Sequence, residues 1–215
     1  MSALRFRPVG RHALLVEVAD VDAAAVVYRL VRRLAADGHG GLKPPRDVVP
    51  AARTVLLDRV ADVEGWQRLL QSHAASLTDN RSVPAAETGT EIVLRVAYDG
   101  PDLDRVAAAW RCTPEEVVRK HSEAVYRVAF CGFAPGFAYC TSEREAPPVP
   151  RRDEPRTSVP AGSVGLAGRY CGVYPQTMPG GWQLIGTTDA VMFDAGRAEP
   201  ALLTPGDRVR FQPGG

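Results

Sequence analysis

The chain has 215 residues, a formal net charge of +1, 45% hydrophobic residues and 24% charged ones, proportions of a globular protein long enough for one or two domains. The near-neutral balance removes the charge argument for a nucleic acid or an anionic membrane as partner. No run of about 18 apolar residues is present, and the opening MSALRFRPVG lacks the apolar core of a signal peptide, so the expected location is cytoplasmic.

Cys112, Cys131, Cys140 and Cys171 show no CxxC spacing, and His12, His39, His73 and His121 are scattered, so no metal site is expected and the thiols read as reduced. Only Lys43 and Lys120 are lysines, and neither lies in a GxxxxGK[ST] loop, so a nucleotide would have to be held without a P-loop.

In chain order, a strand with Leu14, Val16 and Val18 alternating follows a turn at Pro8 to Arg11. Asp20 or Asp22 caps a helix whose apolar stripe is Val27, Leu30, Val31 and Leu34, and Gly38 ends it. Arg53 to Val60 reads as a second strand, and Asp62 caps a second helix carrying Val63, Trp66, Leu69 and Leu70. This is the pattern of a small α/β sandwich ending near Asn80, followed by a polar linker at Asn80 to Glu91. A second half begins with a strand at Ile92 to Ala97, a turn at Tyr98 to Pro101, and a helix with Leu103, Val106, Ala107 and Trp110 on one side. Thr113-Pro114-Glu115-Glu116 spells a capping box with proline at the first helical position. The helix it starts runs to about Ser122, with Val117, Val118 and His121 inward. Val125 to Phe130 is a buried strand, Thr141 to Arg156 a mobile surface loop, Ala190 to Phe193 a strand, and Val209 and Phe211 mark the last strand. Short strands with few helices suggest a barrel.

The stretch from Arg156 to Thr188 concentrates prolines and glycines, which excludes helix and favours short strands joined by shaped loops. Such loops serve either as a ligand site or as barrel turns. Tyr174, Gln176 and Trp182 bracket Pro175 and Pro179, as pocket lining or as core; Tyr174-Pro175 is a place for a cis peptide bond. Arg151, Arg152 and Arg156 either clamp an anion or form a solvated cluster, with Arg156 the best placed. His121 is either a general base or a core-edge histidine. Ser158, Ser163 and Thr177 are possible hydroxyl ligands, with no pattern for a nucleophile.

The ordered motifs Gly132-Phe-Ala-Pro-Gly-Phe137, Pro155-Arg156, Gly162-Ser163-Val164, Tyr174-Pro175, Pro179-Gly-Gly-Trp182 and Ile185-Gly186 resemble the 5-oxoprolinase B-subunit family. It is also called PxpB or KipI and is similar to allophanate hydrolase subunit 1. The resemblance implies an α+β protein of two domains, a ferredoxin-like sandwich over 1–85 and a cyclophilin-like β-barrel over 90–215. It implies a subunit inactive alone, working with a C subunit (PxpC/KipA-like) and an A subunit (PxpA-like) in ATP-dependent opening of 5-oxoproline to L-glutamate. Alternatives from the same resemblance are a KipI-type inhibitor of a sensor histidine kinase and an allophanate or urea-processing subunit. The site it implies has His121 as the catalytic residue, with Phe133, Pro135, Gly136, Phe137, Arg156, Ser163, Tyr174, Gln176, Gly180, Gly181 and Trp182 around the substrate. Thr187 stands where an arginine commonly follows Ile-Gly in the family.

Overall fold

Alternating apolar residues at Leu14, Val16, Val55 and Leu57 put one face of a four-stranded antiparallel sheet against two helices. The computed structural model describes residues 4–38, 41–73, 89–144 and 146–214, which fall into two compact units, Met1–Thr88 and Gly89–Gly215. In the first unit the strands β1 (Arg5–Val9), β2 (Ala13–Glu17), β3 (Asp47–Pro50) and β4 (Thr54–Asp58) lie in the order β1-β2-β4-β3. The helices are α1 (Val21–Ala36) and α2 (Val63–Ser72), and their Leu30, Val31, Leu34, Trp66 and Leu70 share one core with the sheet. Asp20 is the cap of α1, its carboxylate accepting from Ala23 N at 2.8 Å, and Asp62 does the same for α2 through Gly65 N. The sequence reading missed β3, whose Val48 and Val49 sit in a short strand bounded by polar residues and Pro50. Of the linker expected at Asn80 to Glu91, residues 80–88 lie outside the described residues, and Glu91 opens a strand.

The second unit comprises β5 (Glu91–Val96), α3 (Leu103–Trp110), α4 (Pro114–Glu123), β6 (Val125–Cys131), β7 (Ala138–Ser142), β8 (Arg156–Val159), β9 (Ser163–Ala167), β10 (Tyr170–Val173), β11 (Met178–Gly180), β12 (Gln183–Thr187) and β13 (Arg208–Pro213). Seven strands form one sheet in the order β12-β9-β10-β7-β6-β13-β5, and β8 pairs with β11 in a small second sheet. The two edges of the large sheet nearly meet: Ala97 N donates to Thr187 O at 2.9 Å and Thr187 N to Ala97 O at 2.8 Å. This single bridge makes a nearly closed barrel and covers one end of the sheet edges that could otherwise template association. Glycine is required at 186, because a Cβ there would collide with the Ala97 carbonyl.

Alternation along the strands separates two apolar clusters. Val164, Leu166, Cys171, Val173, Ile185, Val209 and Phe211 form one core with Val106, Ala107, Trp110 and Val117 of the helices. Phe137, Val159, Ala167, Tyr174, Trp182 and Leu184 form the other. The capping box is present at α4: Thr113 Oγ1 accepts from Glu116 N at 3.3 Å, and Glu116 Oε2 accepts from Thr113 N at 3.0 Å.

Three expectations change. Thr141 to Arg156 is tied to its surroundings: Val149 bridges Gly168, Arg152 N donates to Gly181 O at 2.8 Å, and Trp110 Nε1 donates to Pro147 O at 2.8 Å. Its prolines kept it out of the regular ladders without freeing it. Ala190 to Phe193 is not a strand, since only Phe193 forms a single bridge, to Ala201. No cis peptide bond occurs among the described residues, so Tyr174-Pro175 is trans.

Gly165 and Gly172 are partners across β9 and β10 and leave a trough under the second cluster. A Cβ on Gly172 would lie 2.7 Å from Ala138 O and 3.1 Å from the Trp182 ring. We expect Gly172→Ala to lower the stability of the chain by about 1–3 kcal/mol in urea denaturation, as overpacking does. A variant as stable as the parent would show that the trough relaxes freely.

Candidate functional site

The second apolar cluster is an aromatic wall packed inside the unit, with Phe137, Tyr174 and Trp182 all buried, and it reaches the surface only where Phe133 extends it. Trp182, in the turn between β11 and β12, lies edge-on to Phe137 with ring centroids 5.3 Å apart, and Phe137 meets Tyr174 in the same way, also at 5.3 Å. Tyr139 adds a contact with Trp182 at 5.5 Å and stacks on Phe130 at 4.4 Å. These edge-to-face contacts fix ring orientation beyond what burial alone supplies. Gly180 must lack a side chain, because a Cβ there would strike the Tyr174 phenol. Phe133 extends the wall, 5.8 Å from Phe137, and is 68% exposed with φ at +75°. An exposed aromatic in the left-handed region costs roughly 1–2 kcal/mol and persists only where the loop dictates it. The loop does so by a tight turn, with Phe137 N donating to Ala134 O at 3.0 Å and Gly132 N to Phe137 O at 3.1 Å. Gly136 in that turn abuts Met192 and Phe193, and Val191 and Phe193 are themselves exposed.

Beside the wall lies a charge hub that the sequence did not reveal. Asp102, 2% exposed at the start of α3, accepts from Leu184 N at 2.7 Å, from Arg156 Nη2 at 2.8 Å and from Arg152 Nη1 at 3.2 Å. Its own N–H donates to Leu184 O at 3.0 Å. Burial by itself would raise the carboxyl's pKa. The Arg156 and Leu184 hydrogen bonds and the two guanidinium charges outweigh it and hold the group below its ordinary value. Arg156 is therefore engaged, with a further contact from Nη1 to Trp182 O at 3.5 Å. It positions the wall and is not a free anion clamp. Arg151 has no carboxylate partner among the described residues, and its guanidinium lies close enough to Tyr139 and Tyr174 to favour their ionised forms, although burial of both phenols prevails and raises them. It also flanks Gly181, where a Cβ would lie 3.8 Å from Arg151 Nε. Arg151 is thus the exposed cation of this face.

His121 is elsewhere. It is fully buried in the barrel core, its ring between Tyr126 and Phe211, with Nδ1 2.8 Å from Tyr98 Oη and Nε2 3.2 Å from Cys171 Sγ. Burial pushes its pKa down to about 3, so the ring is neutral at physiological pH. Hydroxyl and thiol can each donate or accept, so both ring nitrogens are satisfied in either tautomer. A general base needs access to a proton in transit and a pKa near neutrality, and His121 has neither. The catalytic assignment is corrected to a core position that ties α4 to the barrel.

Of the other expected site residues, Phe133, Phe137, Arg156, Tyr174, Gly180, Gly181 and Trp182 come together at the wall, with Gly136 in its loop. Pro135 is exposed at the loop tip. Ser163 is buried in β9, where its carbonyl accepts from Tyr174 N at 2.9 Å, and Gln176 is exposed in the turn before β11. Thr187 donates from Oγ1 to Asp99 Oδ1 at 3.1 Å across the barrel seam.

The family described as carboxyltransferase domain, subdomain C and D, matches this chain over residues 4–203. The chain belongs to this family. Within the carboxyltransferase-domain family it is similar to the 5-oxoprolinase B subunit of Escherichia coli O157:H7, 55% identical over 114 residues that make up 53% of this chain and 52% of that protein. The chain spans about half the length of the curated relatives it matches. The conserved uncharacterized protein PH0987 from Pyrococcus horikoshii has a solved structure that matches with a TM-score of 0.55 at 32% identity, covering 97% of each chain. The Kluyveromyces lactis urea carboxylase shares the fold, with a TM-score of 0.65 at 21% identity over 99% of this chain and 22% of that one.

Proposed function

We propose that this chain is the B subunit of a 5-oxoprolinase, acting with C (PxpC/KipA-like) and A (PxpA-like) subunits in ATP-dependent opening of 5-oxoproline to L-glutamate. The observation that carries this reading is its 55% identity with a 5-oxoprolinase B subunit. A lactam is a stabilised amide, so coupling its opening to ATP hydrolysis is chemically reasonable, and the nucleotide would be bound by the assembled complex. The substrate's carboxylate suits Arg151, the unpaired cation beside Tyr139, Tyr174 and Gly181. Its ring suits Phe133, the exposed aromatic at the edge of the wall.

The order β1-β2-β4-β3 supports a ferredoxin-like sandwich in which the edge strand comes first in the chain. The nearly closed second sheet supports a cyclophilin-like barrel, and a cytoplasmic location follows from the reaction's need for ATP. A second reading, a KipI-type docking module for a sensor histidine kinase, is favoured by the exposed Phe133, Val191 and Phe193.

The test is reconstitution of the chain with C and A subunits and measurement of 5-oxoproline-dependent ATP hydrolysis. The complex should turn over and this chain alone should not. Arg151→Ala should raise KM for 5-oxoproline about tenfold or more with a smaller change in kcat, the pattern of a lost charge-assisted contact. An inactive complex, together with suppression of kinase autophosphorylation by this chain alone, would replace the first reading with the second.

A further inference from the structure

The N-terminal unit carries a groove that the reading above does not use. It has a volume of about 460 Å³ and is lined by Arg5 and Arg7 of β1, Glu17 of β2, Val18 and Ala19 after it, Arg53, and Thr54 of β4. The register accounts for the convergence. Arg5 pairs with Glu17, and Glu17 pairs with Thr54, so these three stand in one row across β1, β2 and β4. Arg7 is two residues along β1 and so on the same face. The backbone of Arg53 is fixed at the end of that row, where Val18 N donates to Arg53 O at 2.9 Å.

Three guanidinium groups converge on one groove, and the fold supplies a carboxylate to only one of them. Glu17 is taken by Arg7, with Nε to Oε1 at 2.7 Å. Asp20, the next acid along the chain, is committed as the cap of α1. Among the described residues, neither Arg5 nor Arg53 has a carboxylate partner, although the chain holds nearly as many acids as bases, 25 against 26. Nothing in the packing of the unit requires these charges, since Arg5, Arg7 and Arg53 are all exposed and contribute no core residue. The volume falls within the range of small-molecule sites, and a planar fork of donors matches an oxyanion bidentately. Thr54, in the same row as Arg5 and next to Arg53 in the chain, adds a hydroxyl-bearing residue to the lining.

We infer that this groove binds a small, multiply charged oxyanion, held by Arg5 and Arg53 with Thr54 as a neutral donor. Phosphate esters and polycarboxylates share the chemistry required. Arg7 stays paired with Glu17 and frames the groove. The inference is independent of the proposed reaction, because it rests only on residues of the first unit.

Isothermal titration of the full chain at low ionic strength with pyrophosphate, ATP and citrate tests it. At least one of the three should bind with one site per chain. The Arg5→Ala/Arg53→Ala variant should weaken that binding by about 10-fold or more, and added salt should weaken it further. Arg11→Ala, on the same unit but outside the groove, should leave it unchanged. Tighter binding of pyrophosphate and ATP than of citrate would assign a phosphate ligand, and the reverse a polycarboxylate. Absence of binding by all three, or equal affinity in the parent and the double variant, would overturn the inference. The melting temperature without ligand should be equal or higher in the double variant, which separates lost binding from lost folding.

Discussion

Replacing Asp102 with asparagine is expected to destabilise the chain by about 2–4 kcal/mol in urea denaturation, because it leaves two guanidinium groups without their carboxylate in a mostly buried setting. The lower end of that range reflects the arginines, whose side chains are still 22% and 23% exposed. Asp104→Asn, on the exposed side of the same helix, is the control and should stay within about 0.5 kcal/mol of the parent. The acid limb carries a second signature. The carboxyl's folded pKa lies below its unfolded value, so its contribution is present above about pH 4 and is lost as the pH falls through the folded value. In Asp102→Asn that part of the acid loss should vanish. Equal stability of variant and parent would mean that the hub is ornamental and that the wall is held by packing alone.

His121 supplies the second large effect, with its own pH window. Its folded pKa of about 3 is below the unfolded value, so the unfolded chain takes up the proton first. Stability is full above about pH 6.5 and declines by up to about 1.4 kcal/mol per pH unit as the pH falls from there toward the folded value. The difference between the stability curves of the parent and His121→Gln isolates this slope from the other histidines. Parallel curves would show that the ring is not buried in its neutral form. Tyr98→Phe provides a second route to the same point: it removes the hydroxyl 2.8 Å from Nδ1 and should cost about 1–3 kcal/mol, the penalty of an unsatisfied buried group.

Local signals were legible in the sequence and long-range ones were not. The capping box at Thr113 and the cap at Asp62 are written within four residues and form as spelled, and of the two aspartates offered for α1 it is Asp20 that caps. The alternation of Leu14 and Val16, or of Val209 and Phe211, likewise needs only neighbours. Asp102 looks like one more turn residue after Gly100-Pro101, because its partners lie 50, 54 and 82 positions away. The same distance hid the anchoring of residues 141–156, whose bonds run to Trp110, Gly168 and Gly181. His121 was placed correctly on the inward side of its helix, yet an inward position does not distinguish a pocket from a core. That distinction came from Tyr126 and Phe211, which close over the ring. The aromatic wall was visible as motifs, whereas the difference between Arg151 and Arg156 depends on which of them Asp102 reaches.

The position of β13 has a consequence for how the barrel comes into being. It lies between β5 and β6 and pairs with both, in parallel with β5, so the first strand of the unit finds its sheet partner only in the last one described. Arg210 Nε reaches Glu91 at 3.0 Å across 119 positions of sequence. During synthesis β5 must therefore wait, unpaired, until almost all of the unit has been made, and the closing contacts carry a large loop-entropy cost before they return any stabilisation. Folding of this unit should be slow and late, and an interruption before Arg208 would leave two strand edges open to intermolecular pairing.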